Sequence, residues 1–128
     1  MVSLKRDEPA TGPLITGFAG TGFRVDDEIV DSGLWLTPKW ARPWEISDIA
    51  ALDAEMLEPL LSIDPMPEFL LLGTGASLNR PSSAFVAALE ARDIGVEAMD
   101  SRAAARSWGL LRGEDRWFVA ALLPLDQG

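Results

Sequence analysis

Short apolar runs separated by turn residues dominate the hydrophobic pattern of this chain and predict an alternation of strands and helices. The apolar spacing predicts strands over residues 14–18, 23–25, 28–30, 34–37, 69–72, 94–99 and 117–123. The turn residues Asp26 and Asp27 stand between two of these strands and therefore predict a β-hairpin. The 69–72 run is apolar at every position, which is typical of a buried strand in a mostly parallel sheet.

Apolar residues at helical spacing predict two longer helices over residues 84–92 and 102–108. Because Gly has no Cβ and readily ends a helix, Gly109 is expected to terminate the second one. A strand, a crossover helix and a second strand form a βαβ unit, so this half of the chain indicates an α/β domain. The candidate N-caps of the two helices are Ser82 or Ser83 and Asp100 or Ser101.

The segment between the two halves is rich in Trp, Pro and carboxylates. Residues 38–46 hold two Trp and two Pro and are predicted to form a loop. Short helical pieces are predicted after it, and Pro59 should break the second piece or delay its start. The candidate N-caps of these pieces are Ser47, Asp48 and Asp53.

Composition removes most catalytic chemistries from consideration. The 128 residues include no His, no Cys and no Tyr. A chain without His and Cys has no catalytic triad, no thiol nucleophile, no zinc–thiolate site and no imidazole-ligated haem. The carboxylates at 26–31 lack the calcium-loop pattern, so neither a metal nor a cofactor is expected.

The charge balance of the chain limits the classes of partner that it can bind. Eleven Lys and Arg against twenty Asp and Glu give a net charge of −9. This balance argues against nucleic acid, whose phosphates require cations, and it favours a basic partner. The longest apolar run is too short to cross a membrane, and no signal peptide is recognised, so a cytoplasmic location without membrane insertion is expected.

A loop at the end of the apolar strand is the first candidate site. Gly73, Thr74 and Gly75 follow that strand, and ligands of open α/β sheets bind at the carboxyl ends of strands. Free backbone N–H groups there could hold an anion. The side chains that could complete a ligand or anion site are Arg80, Asp100 and Arg106. The alternatives are a tight turn, an N-cap and solvated arginines.

The loop at 38–46 is the second candidate site. Trp40 and Trp44 flank Arg42 there, and Trp and Arg are enriched among the residues that dominate protein–protein binding. Segment 45–68 follows with seven carboxylates and no Lys or Arg, which would suit a basic partner. The alternative is that the tryptophans close the edge of a small core.

Several segments in a fixed order resemble a known family of single-domain proteins. They are Phe69–Gly75, Pro81, Ile94–Asp100, Ala103–Arg106 and Val119–Pro124, preceded by Phe23–Val25 and Pro43-Trp44. The family includes the mitochondrial respiratory complex I assembly factor 3 and an adipogenesis-associated cytoplasmic protein, and its fold is called the Mth938-like domain. The resemblance spans roughly residues 14–124.

The resemblance implies a three-layer α/β single domain: a mixed β-sheet with flanking helices and an additional N-terminal β-hairpin layer. Residues 14–124 are the predicted domain. Residues 1–13, which are polar and contain Pro and Gly, are predicted to form a flexible leader, and residues 125–128 a tail. The resemblance implies no catalytic residues and no cofactor. The family tends to carry Thr-Tyr-Asn where this chain has Ser107, Trp108 and Gly109, and Thr where it has Ser101, so a polar site shared through those positions would be damaged here.

Two functions therefore remain open from the sequence. The first is a non-catalytic protein-interaction domain, as in an assembly factor for a membrane or respiratory complex, that binds its partner through Trp40, Arg42 and Trp44. The second is a small-molecule or anion-binding domain, with weak enzymatic activity as a further possibility, at the loop after residues 69–72. The sequence identifies neither the partner nor the oligomeric state.

Overall fold

The computed structural model describes residues 12–46 and 48–127. The strands are β1 Ile15–Ala19, β2 Gly22–Val25, β3 Glu28–Val30, β4 Gly33–Leu36, β5 Ala41–Trp44, β6 Phe69–Gly73, β7 Gly95–Met99 and β8 Val119–Leu122. The α-helices are α1 Glu58–Leu61, α2 Ser83–Glu90 and α3 Ser101–Gly113. Residues 1–11 of the predicted leader and the predicted N-cap Ser47 lie outside the described residues.

Two sheets organise these strands. One is an antiparallel three-stranded sheet in the order β1-β2-β3, whose β2–β3 connection confirms the hairpin at Asp26 and Asp27. The other has five strands in the order β5-β4-β8-β6-β7. Its β6, β7 and β8 are parallel to one another, while β4 is antiparallel to both β5 and β8, so this sheet is mixed.

The five-stranded sheet is the middle layer, because both of its faces are covered. On one face, buried residues of α3 and β2, such as Trp108 and Phe23, pack against Leu71. On the other face, residues of α1 and α2, such as Leu60 and Phe85, pack against Leu70. The alternation of β6 side chains between two cores explains why its sequence is apolar throughout. The predicted three-layer α/β fold is confirmed.

Two predictions were wrong: the loop at residues 38–46 and the end of α3. Residues 38–46 do not form a loop, because Ala41–Trp44 pairs with β4 as an edge strand. An edge strand tolerates Pro43, which has no N–H to donate, since one side of the strand faces solvent. Gly109 does not end α3, which continues to Gly113. A Cβ at Gly109 would meet nothing, so the glycine lies on an open face while Trp108 keeps the helix on the core.

The acidic segment forms short helical turns as predicted. Asp48 is the N-cap of the single-turn 3₁₀ helix Ile49–Ala51. The N-cap of the second such helix, Glu55–Leu57, is Ala54, and the Asp53 carboxylate accepts the Met56 N–H of that helix at 2.9 Å. Helix α1 begins at Glu58 with Pro59 in its first turn, which agrees with the predicted late start. The Arg92 guanidinium donates two hydrogen bonds to Glu58, at 2.8 and 3.2 Å, and holds the pKa of that exposed carboxyl below its ordinary value.

Candidate functional site

The loop after β6 lies where the ends of β6 and β7 meet the start of α3. Thr74 is fully buried there, with its hydroxyl 2.7 Å from the Ser77 carbonyl oxygen. The same hydroxyl accepts the Asn79 N–H at 3.0 Å. The Thr74 side chain therefore folds the loop onto itself and faces the protein interior.

Ser101 closes this end of the sheet. Its hydroxyl donates to the Leu123 carbonyl at 2.7 Å and accepts the Gly75 N–H at 2.9 Å. The Thr74 N–H donates to the Met99 carbonyl, and the Ala76 N–H donates to the Gln127 carbonyl, both at 2.8 Å. The backbone donors of residues 74–76 are thus bonded to the protein itself, so they are not free to hold an anion.

The helix α2 after β6 lies on one face of the sheet and the helix α3 after β7 lies on the other. β6 lies between β7 and β8, so the strand order reverses at β6. In many α/β proteins ligands bind in the crevice that such a reversal opens, here at the carboxyl ends of β6 and β8. In this chain Thr74 and Ser101 fill the crevice with short hydrogen bonds. The sequence alone could not reveal this closure, because the partners of Ser101 and Ala76 come from residues 123 and 127.

Replacing Gly75 with Ala tests whether packing fixes this loop. Gly75 has φ +98°, and an added Cβ would lie 2.1 Å from the Gln127 carbonyl oxygen. We expect a loss of about 2–3 kcal/mol in the free energy of unfolding, measured by urea denaturation. The matched control is Gly109→Ala, which should stabilise the exposed helix face by roughly 0.5–1 kcal/mol. A Gly75→Ala protein as stable as the parent would contradict the packing described here.

The remaining members of the predicted ligand site do not converge on this loop. Asp100 is the N-cap of α3, and its carboxylate accepts the Ala103 N–H at 2.8 Å. Arg80 is exposed. Arg106 lies beside β1 in a cleft of about 200 Å³ whose lining contains no residue of the 73–75 loop. Ligand binding by this set remains a prediction.

Trp44 belongs to the core. It is 8% exposed, its indole N–H donates to the Leu122 carbonyl at 3.2 Å, and its ring stacks on Trp35 with the centroids 5.7 Å apart. The prediction that the three loop residues together form a partner surface must therefore exclude Trp44, since β5 turns its side chain inward.

Trp40 and Arg42 occupy a different position. The Arg42 guanidinium carbon lies 4.0 Å from the centroid of the half-buried Trp40 ring, and Arg42 itself is exposed. This cation–π contact holds the cation against an aromatic surface on the edge strand. The pair forms the centre of what we call the Trp40 surface, defined by Trp40, Arg42 and the two clefts that border Trp40.

The two clefts give the Trp40 surface its shape and charge. The larger, of about 500 Å³, is lined by residues 12–13, 25–28 and 39–41. The smaller, of about 230 Å³, is lined by Thr37, Lys39, Trp40, Ile63, Asp64 and Trp117. The carboxylates of residues 26–28 and 64 and the cations Lys39 and Arg42 lie among apolar walls, so the surface suits a protein segment that carries apolar groups and charges of both signs. Sequence reasoning missed Trp117, which was assigned to a buried strand.

Comparison with known proteins places the chain in a family. Residues 15–123 match the family described as "Protein of unknown function (DUF498/DUF598)". The chain belongs to the DUF498/DUF598 family. The family resemblance predicted from the sequence is thereby confirmed. The chain is also similar to the solution structure of a Bordetella pertussis protein that is described as a Mth938-like domain, the fold name that the resemblance implied. That structure aligns with a TM-score of 0.78 at 28% identity and covers 94% of this chain and 92% of that one.

Two curated relatives extend the family comparison. The Danio rerio protein named "NADH dehydrogenase [ubiquinone] 1 alpha subcomplex assembly factor 3" is 28% identical over 99% of this chain and 73% of its own length. An uncharacterised Rhodobacter capsulatus protein is 31% identical over 87% of this chain and 84% of its own length. Among the described residues of the present DUF498/DUF598 chain, no helix has the length and apolar character needed to span a bilayer.

Proposed function

We propose that this chain is a non-catalytic protein-interaction domain that assists the assembly of NADH dehydrogenase. The relation to a protein named as an assembly factor of that enzyme, over nearly the whole chain, gives the class of function. The observation that carries the proposal within the structure is the contact between Arg42 on edge strand β5 and Trp40, which lies directly before that strand and borders two clefts. Large aromatic and Arg side chains of this kind dominate the binding energy of many interfaces.

The state of the loop after β6 supports an interaction domain over a ligand-binding domain. Its backbone donors are bonded within the protein, and its buried Thr74 and Ser101 hydroxyls already have partners. An anion would have to displace those bonds. Each bond that breaks leaves a buried group unsatisfied, at a cost of roughly 1–3 kcal/mol. The Trp40 surface requires no such rearrangement.

Removal of the gene from the cell that encodes this chain tests the proposed function. We expect less assembled NADH dehydrogenase on native gels, and full recovery when the parent chain is supplied. Unchanged assembly in the deletion strain would contradict the proposal.

Fractionation of the same cells tests the cytoplasmic location proposed from the sequence.

A double variant then tests the Trp40 surface. Trp40→Ala with Arg42→Glu should fail to restore assembly while remaining folded. The matched control combines Arg24→Glu with Leu110→Ala, which also changes one exposed strand arginine and one exposed apolar residue elsewhere. Equal recovery by both double variants would exclude the Trp40 surface as the binding site.

A further inference from the structure

The two edges of the five-stranded sheet differ in how they resist pairing with another strand. Natural proteins block sheet edges with prolines, charges or covering segments, because an open edge is a template for strand addition. Edge strand β5 contains an exposed Pro43 beside Arg42. Edge strand β7, Gly95–Met99, contains no Pro and one charged residue, Glu97. Every residue of β7 therefore keeps its backbone N–H, and Glu97 opposes only acidic partners, so the β7 edge is the more open of the two to a basic strand.

The hydrogen bonds that join β7 to β6 show which backbone groups remain on its outer side. The Gly95 N–H donates to the Glu68 carbonyl, and the Met99 carbonyl accepts the Thr74 N–H. Because successive residues of a parallel strand alternate between its two sides, residues 95, 97 and 99 bond toward β6. The N–H and C=O groups of Val96 and Ala98 point away from the sheet, where an added strand would meet them.

A groove runs beside this open edge. Helix α3 packs mainly on β6 and only in part on β7, so it leaves part of the same face of β7 open. The resulting groove has a volume of about 400 Å³, and its lining combines apolar and polar residues in about equal number. Its lining residues are Glu68, Phe69, Leu71, Glu97, Met99, Ser107, Leu111 and Arg116. A strand added to β7 would place alternate side chains over this groove.

The charges of the groove indicate what would fill it. Glu68 is already paired with Arg116 at 2.9 Å. Glu97 is exposed at the middle of β7, and the described part of the chain places no cation within 4.0 Å of its carboxylate. A basic side chain between apolar ones would therefore match the groove. A second copy of this chain would match it poorly, because antiparallel pairing about Glu97 would oppose two like charges.

We infer that the β7 edge binds an extended segment of a partner protein, in which a Lys or Arg opposite Glu97 is flanked by apolar side chains. The segment adds to the sheet as a sixth strand through Val96 and Ala98, and its alternate side chains enter the groove under α3. This binding mode is separate from the Trp40 surface and does not depend on it.

A synthetic peptide tests the inference directly. The probe is the capped heptapeptide Thr-Val-Thr-Lys-Thr-Val-Thr, which places two Val and the Lys on one face of a strand. Titrated into the ¹⁵N-labelled chain, it should shift the amide signals of Val96 and Ala98 and slow their hydrogen exchange. The same peptide N-methylated at every Val and Thr keeps its side chains but loses the backbone N–H donors of those residues. It cannot form the hydrogen bonds of an added strand, so it should not bind. Unshifted Val96 and Ala98 signals at millimolar peptide would overturn the inference.

A charge test identifies the role of Glu97. Replacing the peptide Lys with Glu should weaken binding about fivefold or more. Glu97→Gln should remove most of the preference for the Lys peptide over the Glu peptide. The matched control is Glu90→Gln, at an exposed position at the end of α2, and it should preserve the preference. An unchanged preference in Glu97→Gln would overturn the assignment.

Self-association is the competing result. If sedimentation shows a dimer and the Val96 and Ala98 amides are protected in the free protein as its concentration rises, a second copy occupies the edge and the inference fails. Failure of any peptide test leaves the gene-deletion and Trp40 results unaffected, so the two proposals can fail separately.

Discussion

Trp44→Ala should lower the free energy of unfolding by about 3–5 kcal/mol. The indole is 8% exposed, stacks on Trp35 and donates a hydrogen bond to the Leu122 carbonyl at 3.2 Å. Truncation would remove these contacts, including the hydrogen bond to the Leu122 carbonyl, and leave a cavity in the core. Urea denaturation followed by far-UV circular dichroism measures the difference.

The matched comparison is Trp40→Ala, on the same edge strand region. Trp40 is only half-buried and contacts exposed Arg42, so we expect a smaller loss of about 1–2 kcal/mol. Equal losses in the two variants would contradict the division of the tryptophans into one core residue and one surface residue. This comparison also determines which variant is usable in functional tests, because an unfolded Trp44→Ala protein would fail for structural reasons alone.

Trp108→Ala should cause a loss of similar size, about 3–5 kcal/mol. Trp108 is fully buried, its ring lies 4.9 Å from that of Phe118, and its indole N–H donates to the Pro13 carbonyl at 2.9 Å. The residue therefore attaches the start of the described chain to α3. Thermal and urea unfolding of the purified variant would measure the loss.

Trp108→Phe separates packing from hydrogen bonding. It keeps an aromatic ring in the core but leaves the buried Pro13 carbonyl without its indole donor, for an expected loss of about 1–3 kcal/mol. If Trp108→Phe is as damaging as Trp108→Ala, the hydrogen bond to Pro13 outweighs the ring contacts. A loss below 1 kcal/mol in Trp108→Ala would contradict the core position altogether.

The position that the family often fills with Tyr thus holds a core residue in this chain. A buried Trp whose one polar atom bonds to Pro13 leaves no polar group there for a ligand. The absence of His, Cys and Tyr from the sequence agrees with this arrangement.

Local patterns were sufficient to predict the elements with strong periodicity. The uninterrupted apolar run before Gly73 is a strand, and Ser82 and Asp100 cap the two longer helices as their short polar side chains suggested. These features depend on residues within a few positions of one another, such as an N-cap oxygen and an N–H three residues later. The sequence displays such relations directly.

Long-range relations explain the failures. Pro43 argued against a strand, and only the position of β5 at the sheet edge makes a proline acceptable there. The local sequence allows Trp44 to be either a surface residue or a core residue. Its hydrogen bond to Leu122, 78 residues away, shows that it is a core residue. The closure of the loop after β6 likewise depends on Leu123 and Gln127, which no local pattern links to Thr74 or Gly75.

Co-purification of NADH dehydrogenase subunits with the tagged chain determines whether the Trp40 surface holds the partner. Trp40→Ala with Arg42→Glu should reduce the recovered subunits at least tenfold relative to the parent, while the Arg24→Glu with Leu110→Ala control should recover them fully. Both proteins should give the same far-UV circular dichroism spectrum as the parent. Full recovery by the folded Trp40 and Arg42 variant would contradict the claim that this surface holds the partner.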